Sequence, residues 1–396
     1  MIGNTHLGIT GSALVACAIF LAGVPPVGAQ EVIELPAEDR WLGADFEELY
    51  RVGSMQGDRW DTFGRVGAVA FDATGNLYVL DAPSAGISVV DLEGNLVRRF
   101  GRVGEGPGEF VGDAAPMLDL AILHDQRIAV FDAGRRAFVL FGPEGDFERN
   151  VPFGGAHWVI IPGLQADPGA ESVISTGAVR HFDAPEFSHR PVMRYVLSGD
   201  EVLHDTVAMG WNPPGDPEAF APVLRAGVLP GGGVAFTDSS GYAIKIAASE
   251  GGVDRVLTRP FRPVPVTEGL KAAYLERELE ALQASGERAS DPMQQAMADF
   301  RRGQLEAMEY YPEVPVVRSL RTSPQGTIWV RRTGDEPDTN GPIDLITADG
   351  RYLGSFALGA TNLPSAFGPD GLVAFVERND LDVQTVVVRR LPPELR

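Results

Sequence analysis

The side chains best suited to chemistry are few, with six histidines and one cysteine in the whole chain. Arg180, His181, Asp183, His189 and Arg190 crowd a single polar stretch. Histidine with carboxylate is a workable donor set for a divalent ion, but no spacing here sets a coordination geometry, so a solvated polar loop is the default reading. His157 stands beside Trp158 at the start of an apolar run, where a histidine satisfied by its neighbours is the commoner case. No GxSxG elbow, Walker loop, HExxH pair or EF-hand loop follows residue 30. Catalytic residues and metal ligands are therefore unassigned; His157, Arg180, His181, His189 and Arg190 stand as candidate ligand-binding residues.

Two further groups invite a chemical reading. Asp81, Asp132 and Asp238 each stand six places after a turn-type residue, namely Gly75, Gln126 and Gly232. Repeated short acids of this kind cap turns by accepting backbone N–H bonds. A ring of carboxylates holding Ca²⁺ or another divalent ion is the competing reading, and Arg332 and Thr176 at equivalent places weaken it. No other cofactor is implied. The second group is Tyr274 with Met293, Met297, Phe300 and Met308, spaced for helices over 267–284 and 291–308. Thr267 suits the first N-cap and Pro292 the first position of the second helix. The expectation is a helical hairpin whose apolar stripe packs on the rest of the protein; a lid with Tyr274 lining a ligand pocket is the sharper alternative.

The elements that must position these residues are visible as a repeat. In the stretch 66–110, four short apolar runs alternate with clusters of Gly, Asp, Asn, Pro and Ser, the pattern of a four-stranded antiparallel meander. One such sheet cannot bury both faces, so it implies copies of itself. The copies begin their second strands at QRIAVFD, AESVIST, GGVAFTD, GTIWVRR and GLVAFVE, making six units in all. The last unit runs out of chain before its fourth strand, and 46–52 resembles the missing piece. Closing the ring this way removes two unpaired sheet edges.

The units ending in Asp81, Asp132 and Asp238, together with FGRVGEGPGEF at 100–110, resemble NHL-type repeats. The chain is similar over 45–391 to six-bladed propellers found as exported proteins of Gram-negative bacteria. The Asn and Arg usual after the strand-end Asp of NHL repeats are absent here, so what the resemblance implies is the fold alone. The expected architecture is an all-β six-bladed β-propeller over 46–391, with an α-helical hairpin insertion at 267–311 between blades 4 and 5. The glycine content of 100–110 mimics a phosphate loop, but the stretch follows a strand and opens no helix.

Long segments fall at 53–65, 101–113, 177–191, 210–222, 263–312 and 333–342, each between blades or after a second strand. The remaining turns are nearly minimal, so one face of the ring carries every long loop and is the expected working face.

Residues 1–30 hold no Asp, Glu, Lys or Arg, and the apolar run ends at Pro25 and Pro26. Val27, Gly28 and Ala29 match a signal-peptidase site, giving a signal peptide over 1–29 and a lead-in over 30–45. Cys17 after Leu14, Val15 and Ala16 also matches a lipobox, the one route to a membrane. The chain is thus expected to be periplasmic or extracellular. A net charge of −21 repels phosphate backbones and argues against nucleic acid. The expected function is a binding module for a peptide, glycan or small solute on the long-loop face. The alternative is a metal-dependent lyase or lactonase-type hydrolase with its ion at the channel mouth.

Overall fold

The computed structural model describes residues 30–54, 60–111, 117–155, 158–180, 189–211, 219–286, 292–336, 339–379 and 381–396. The signal-peptide and lipobox readings, and His157 and His181, lie outside these.

Six antiparallel sheets form the ring. Their innermost strands are Val66–Phe71, Leu118–Ile122, Gln165–Ala166, Arg225–Val228, Val317–Thr322 and Ala366–Phe367. Each is followed outward by the next two strands of its own repeat. In blades 1, 2, 3 and 5 the fourth strand also comes from the repeat, and Val253–Thr258 is the fourth strand of blade 4. The outer strand of blade 6 is Glu47–Val52, antiparallel to Gln384–Arg390, so the N-terminal stretch closes the ring as its sequence implies.

The burial pattern follows from this packing. Middle strands such as Leu77–Asp81 and Ile128–Asp132 are buried along their full length because each is sandwiched between two neighbouring blades. The core is accordingly divided into six clusters, each shared by two adjacent blades. One joins Tyr78, Leu80 and Ile87 of blade 1 to Leu120, Ile128 and Val139 of blade 2. No blade owns a core, so none can fold alone.

Side chains tie the inner strands together as well. The Gln165 amide donates to the Ala226 carbonyl at 3.1 Å and accepts from the Val228 N–H at 2.9 Å, joining blades 3 and 4. Asp119 accepts the Leu164 N–H at 3.0 Å across blades 2 and 3. Gln126 holds a left-handed backbone (φ 70°) where Gly75 and Gly326 occupy the same turn, and its amide oxygen accepts from the Ala73 N–H of blade 1.

The lead-in does more than its sequence promised. Glu31–Glu34 adds in parallel to Val253–Thr258, so blade 4 has five strands. The chain then crosses blade 5, where the Leu42 N–H donates to the Ser355 carbonyl at 2.9 Å and the Ser355 N–H donates to the Arg40 carbonyl at 2.8 Å. It reaches blade 6 at Phe46, whose ring stacks on Phe375 at 6.4 Å. Residues 31–52 are therefore a strap over the outer edges of three blades. Sequence reasoning found its closing strand at 46–52 but missed the part before it, because a parallel strand needs no hairpin signal.

The insertion between blades 4 and 5 is a hairpin of α1, Glu268–Gly286, and α2, Pro292–Glu306. The Thr267 hydroxyl accepts the Leu270 N–H at 3.3 Å, as expected of an N-cap. A short ribbon of Val264–Pro265 with Glu313–Val314 closes its base. The expected packing of the α2 stripe on the propeller is corrected here. Met297 and Phe300 are 58% and 63% exposed, because the hairpin is held at its base and α2 packs against α1.

Candidate functional site

The strand-end acids resolve first. Asp81 accepts the Gly64 and Arg65 N–H groups at 3.0 and 3.1 Å, and Asp132 accepts Val111 at 3.1 Å. Asp238 accepts Trp211 at 2.7 Å and pairs with Lys245. Each acid thus staples the incoming connection to its own blade, as the capping reading requires. Among the described residues no three His, Cys, Asp or Glu side chains converge as a metal-ligand set.

Blades 3 and 5 break the pattern. Thr176 replaces the acid in blade 3, and in blade 5 Arg332 turns outward to Asp39 and Asp344. A carboxylate that would have stood near the channel is missing on this side, and arginines gather there. Arg225 opens the inner strand of blade 4, while Arg318 and Arg321 stand on that of blade 5. A bulge between Val317 and Ser319 inserts Arg318 as the extra residue and re-aims it. Arg190 comes from the third strand of blade 3 and Arg331 from the second strand of blade 5.

Electrostatics show that these groups feel one another. Burial lowers the Arg225 pKa from its usual value, and the positive charges of Arg321, Arg318 and Arg190 push it the same way. Arg321 is lowered by burial, with Asp119 opposing. Arg331 is lowered by burial and by Arg318. Arg225 and Arg321 are nonetheless exposed, and what they are exposed to is the channel. Arg331 is only 8% exposed; it donates to Asn362 at 3.2 Å, and its Nε, buried, has no hydrogen-bond partner. The facing carboxylate is Asp119, whose pKa burial raises to about 6 despite N–H bonds from Leu164, Leu120 and Gly163 and the Arg321 charge.

Two chambers make up the channel. One of about 220 Å³ is lined by Arg225, Arg321, Ser175 and Thr176, with no Asp or Glu among its described lining residues. The other, about 800 Å³, includes Asp119 and runs on to the tight turns of the opposite face. Gly163, Gln165, Val228 and Arg321 line both, so the space is continuous. Confined positive charge lining an open channel is an arrangement for holding an anion.

The residues singled out from sequence fare unevenly. Arg190 joins the cluster. Arg180 ends the short strand Ala178–Arg180, paired with Trp158–Ile160, and His189 opens the next strand opposite Trp211; their side chains, like His157 and His181, lie outside the described residues. Tyr274 instead packs at the hairpin base, edge-on to Phe220 at 4.8 Å and to Tyr310 at 6.2 Å. Arg225, Arg318, Arg321, Arg331 and Asp119 were missed. Four of them stand on innermost strands, where a charge has little solvent face to explain it, and Arg331 on a second strand, but nothing along the chain says that they meet.

No protein-family model matches this chain, and no curated protein does. Solved structures do. A candidate exported protein of Bacteroides fragilis is similar at TM-score 0.51 and 12% identity, covering 91% of this chain and 99% of its own. Virginiamycin B lyase of Staphylococcus aureus aligns at TM-score 0.43 and 10% identity over 87% of this chain and 99% of its own. A Xanthomonas campestris gluconolactonase aligns at TM-score 0.41 and 12% identity over 90% and 99%. At these identities the likeness is one of fold. Among the described residues no helix is long and apolar enough to cross a membrane.

Proposed function

We propose that this chain is an exported propeller that binds a small anionic solute in its central channel, at the face carrying the long loops. The observation that carries the reading is that Arg225 and Arg321 line one lumen whose smaller chamber has no carboxylate in its described lining, with the charges of Arg190 and Arg318 near enough to act on Arg225. The net charge of −21 does not oppose this. It sets the long-range field, which turns away polyanions such as nucleic acid, whereas the channel arginines set the local field a small ion meets once inside. Anionic small solutes and acidic glycans fit the partner class; the metal-dependent alternative gains no ligand set among the described residues.

Calorimetric titration of the mature chain with inorganic phosphate, sulfate and citrate tests the reading. Saturable binding is expected, weakened about tenfold or more in Arg225→Gln and Arg321→Gln, in line with loss of a charge-assisted hydrogen bond. Binding unaffected by both substitutions would place the anion elsewhere.

A further inference from the structure

The two chambers differ in what they offer a ligand. The smaller presents the guanidinium groups of Arg225 and Arg321. The larger has polar side chains in its wall, His124 and Thr322 among them, and several of the others are already engaged. Gln126 accepts from Ala73, and Gln165 bonds to Ala226 and Val228. Asp119 accepts from Leu164 and Leu120, while Asp167 accepts from Ser172 and Arg194. The Ser323 hydroxyl accepts the Thr327 N–H. Beside them, toward the turn face, the wall carries an apolar stretch including Phe71, Leu123, Leu229, Pro230, Pro324 and Phe367.

We infer that the natural ligand is an amphipathic anion, its charged head on Arg225 and Arg321 and its apolar chain in the larger chamber. The inference rests on the anion reading above and names the rest of the molecule. A volume of about 800 Å³ is of the size small-ligand sites have. Arg321 stands next to last on its inner strand, and Pro324 lies in the turn that follows, so the apolar wall begins within a few residues of the guanidinium. Neighbouring apolar walls and convergent polar groups at one end are the usual division of labour in such sites. Arg321, lining both chambers, stands at the junction where head and chain would meet.

The test is calorimetry on the mature chain with acetate, hexanoate and decanoate, and with neutral 1-decanol, all below their aggregation concentrations. Affinity is expected to rise by about twofold per methylene, roughly half of what complete burial gives, so that decanoate binds far tighter than acetate. Decanol should bind at least tenfold more weakly than decanoate. In Arg321→Gln, confirmed folded by its melt, decanoate should lose about tenfold while the dependence on chain length persists. Equal affinity for acetate and decanoate would overturn the inference and leave the arginine site standing. Decanol binding as tightly as decanoate would overturn the assigned head group. Failure of every carboxylate here, and of inorganic phosphate in the titration above, would overturn both readings.

Discussion

Arg259 and Asp344 face each other at 2.9 Å with both side chains wholly withdrawn from solvent. Arg259 also reaches Asp39 at 3.1 Å and donates to the carbonyls of Pro36, Ala37 and Glu38. Arg332 bridges the same two acids, and the Ser355 hydroxyl donates to Asp344 at 2.6 Å. Two arginines and two aspartates thus fasten the N-terminal strap to blades 4 and 5. Phe261 and Tyr352 sandwich the Arg259 guanidinium at 4.7 and 4.6 Å. Asp344→Asn leaves two buried cations with too little negative charge, so a loss of about 3 kcal/mol is expected. Denaturant unfolding measures it, and a change under about 1 kcal/mol would mean the network relaxes into water.

Removing residues 30–44 takes away the fifth strand of blade 4 and the Asp39 anchor but spares the closing strand Glu47–Val52. A lower melting temperature with a single transition is expected. Extending the deletion to residue 65 also opens blade 6, exposing an unpaired edge. That variant should aggregate; a soluble product with an unchanged melt would contradict strand closure.

Asp119 gives the channel a pH dependence. Its folded pKa of about 6 lies above the ordinary carboxylate value, so the folded protein holds this proton more tightly than the unfolded chain. The associated stability is complete below about pH 4 and is lost as pH rises through about 6. Protonation also removes the one negative charge facing Arg321, so phosphate-free anions such as sulfate should bind more tightly at pH 5 than at pH 7. Asp119→Asn should flatten both curves. A sulfate affinity that falls on acidification would refute the assignment.

Arg225 sits among like charges, and burial adds to its cost. Arg225→Gln is expected to raise the melting temperature of the ligand-free protein by an amount corresponding to about 1 kcal/mol, the usual trade of stability for function at a binding site. It should reduce the stabilisation that anions confer on the parent protein, in step with the weaker binding. If instead the variant is markedly less stable, Arg225 has a structural role.

The hairpin separates packing from display. Tyr274 joins Phe220 and Tyr310 at its base, so Tyr274→Ala should cost about 2 kcal/mol and hasten proteolysis within 267–311. Phe300→Ser on the exposed side of α2 should change stability by less than about 0.5 kcal/mol. Equal effects from the two substitutions would mean that α2 packs where the structure leaves it open.

Blade count, blade order, ring closure by 46–52 and the hairpin between blades 4 and 5 were all legible in the chain. They depend on local signals, apolar runs of strand length punctuated by turn residues, and the turns of Gly75 and Gly326 sit in the left-handed region such signals imply. The capping role of Asp81, Asp132 and Asp238 was legible for the same reason, since each acts within its own repeat. The strap and the arginine channel were not. Arg190, Arg225 and Arg321 are far apart in sequence and become neighbours only because six blades close round one axis. Arg259 and Asp344 meet only because the strap lies across two blades. Coulombic interaction acts through space and leaves no periodicity along the chain, so the residues that set the channel's charge were decided by the tertiary structure alone.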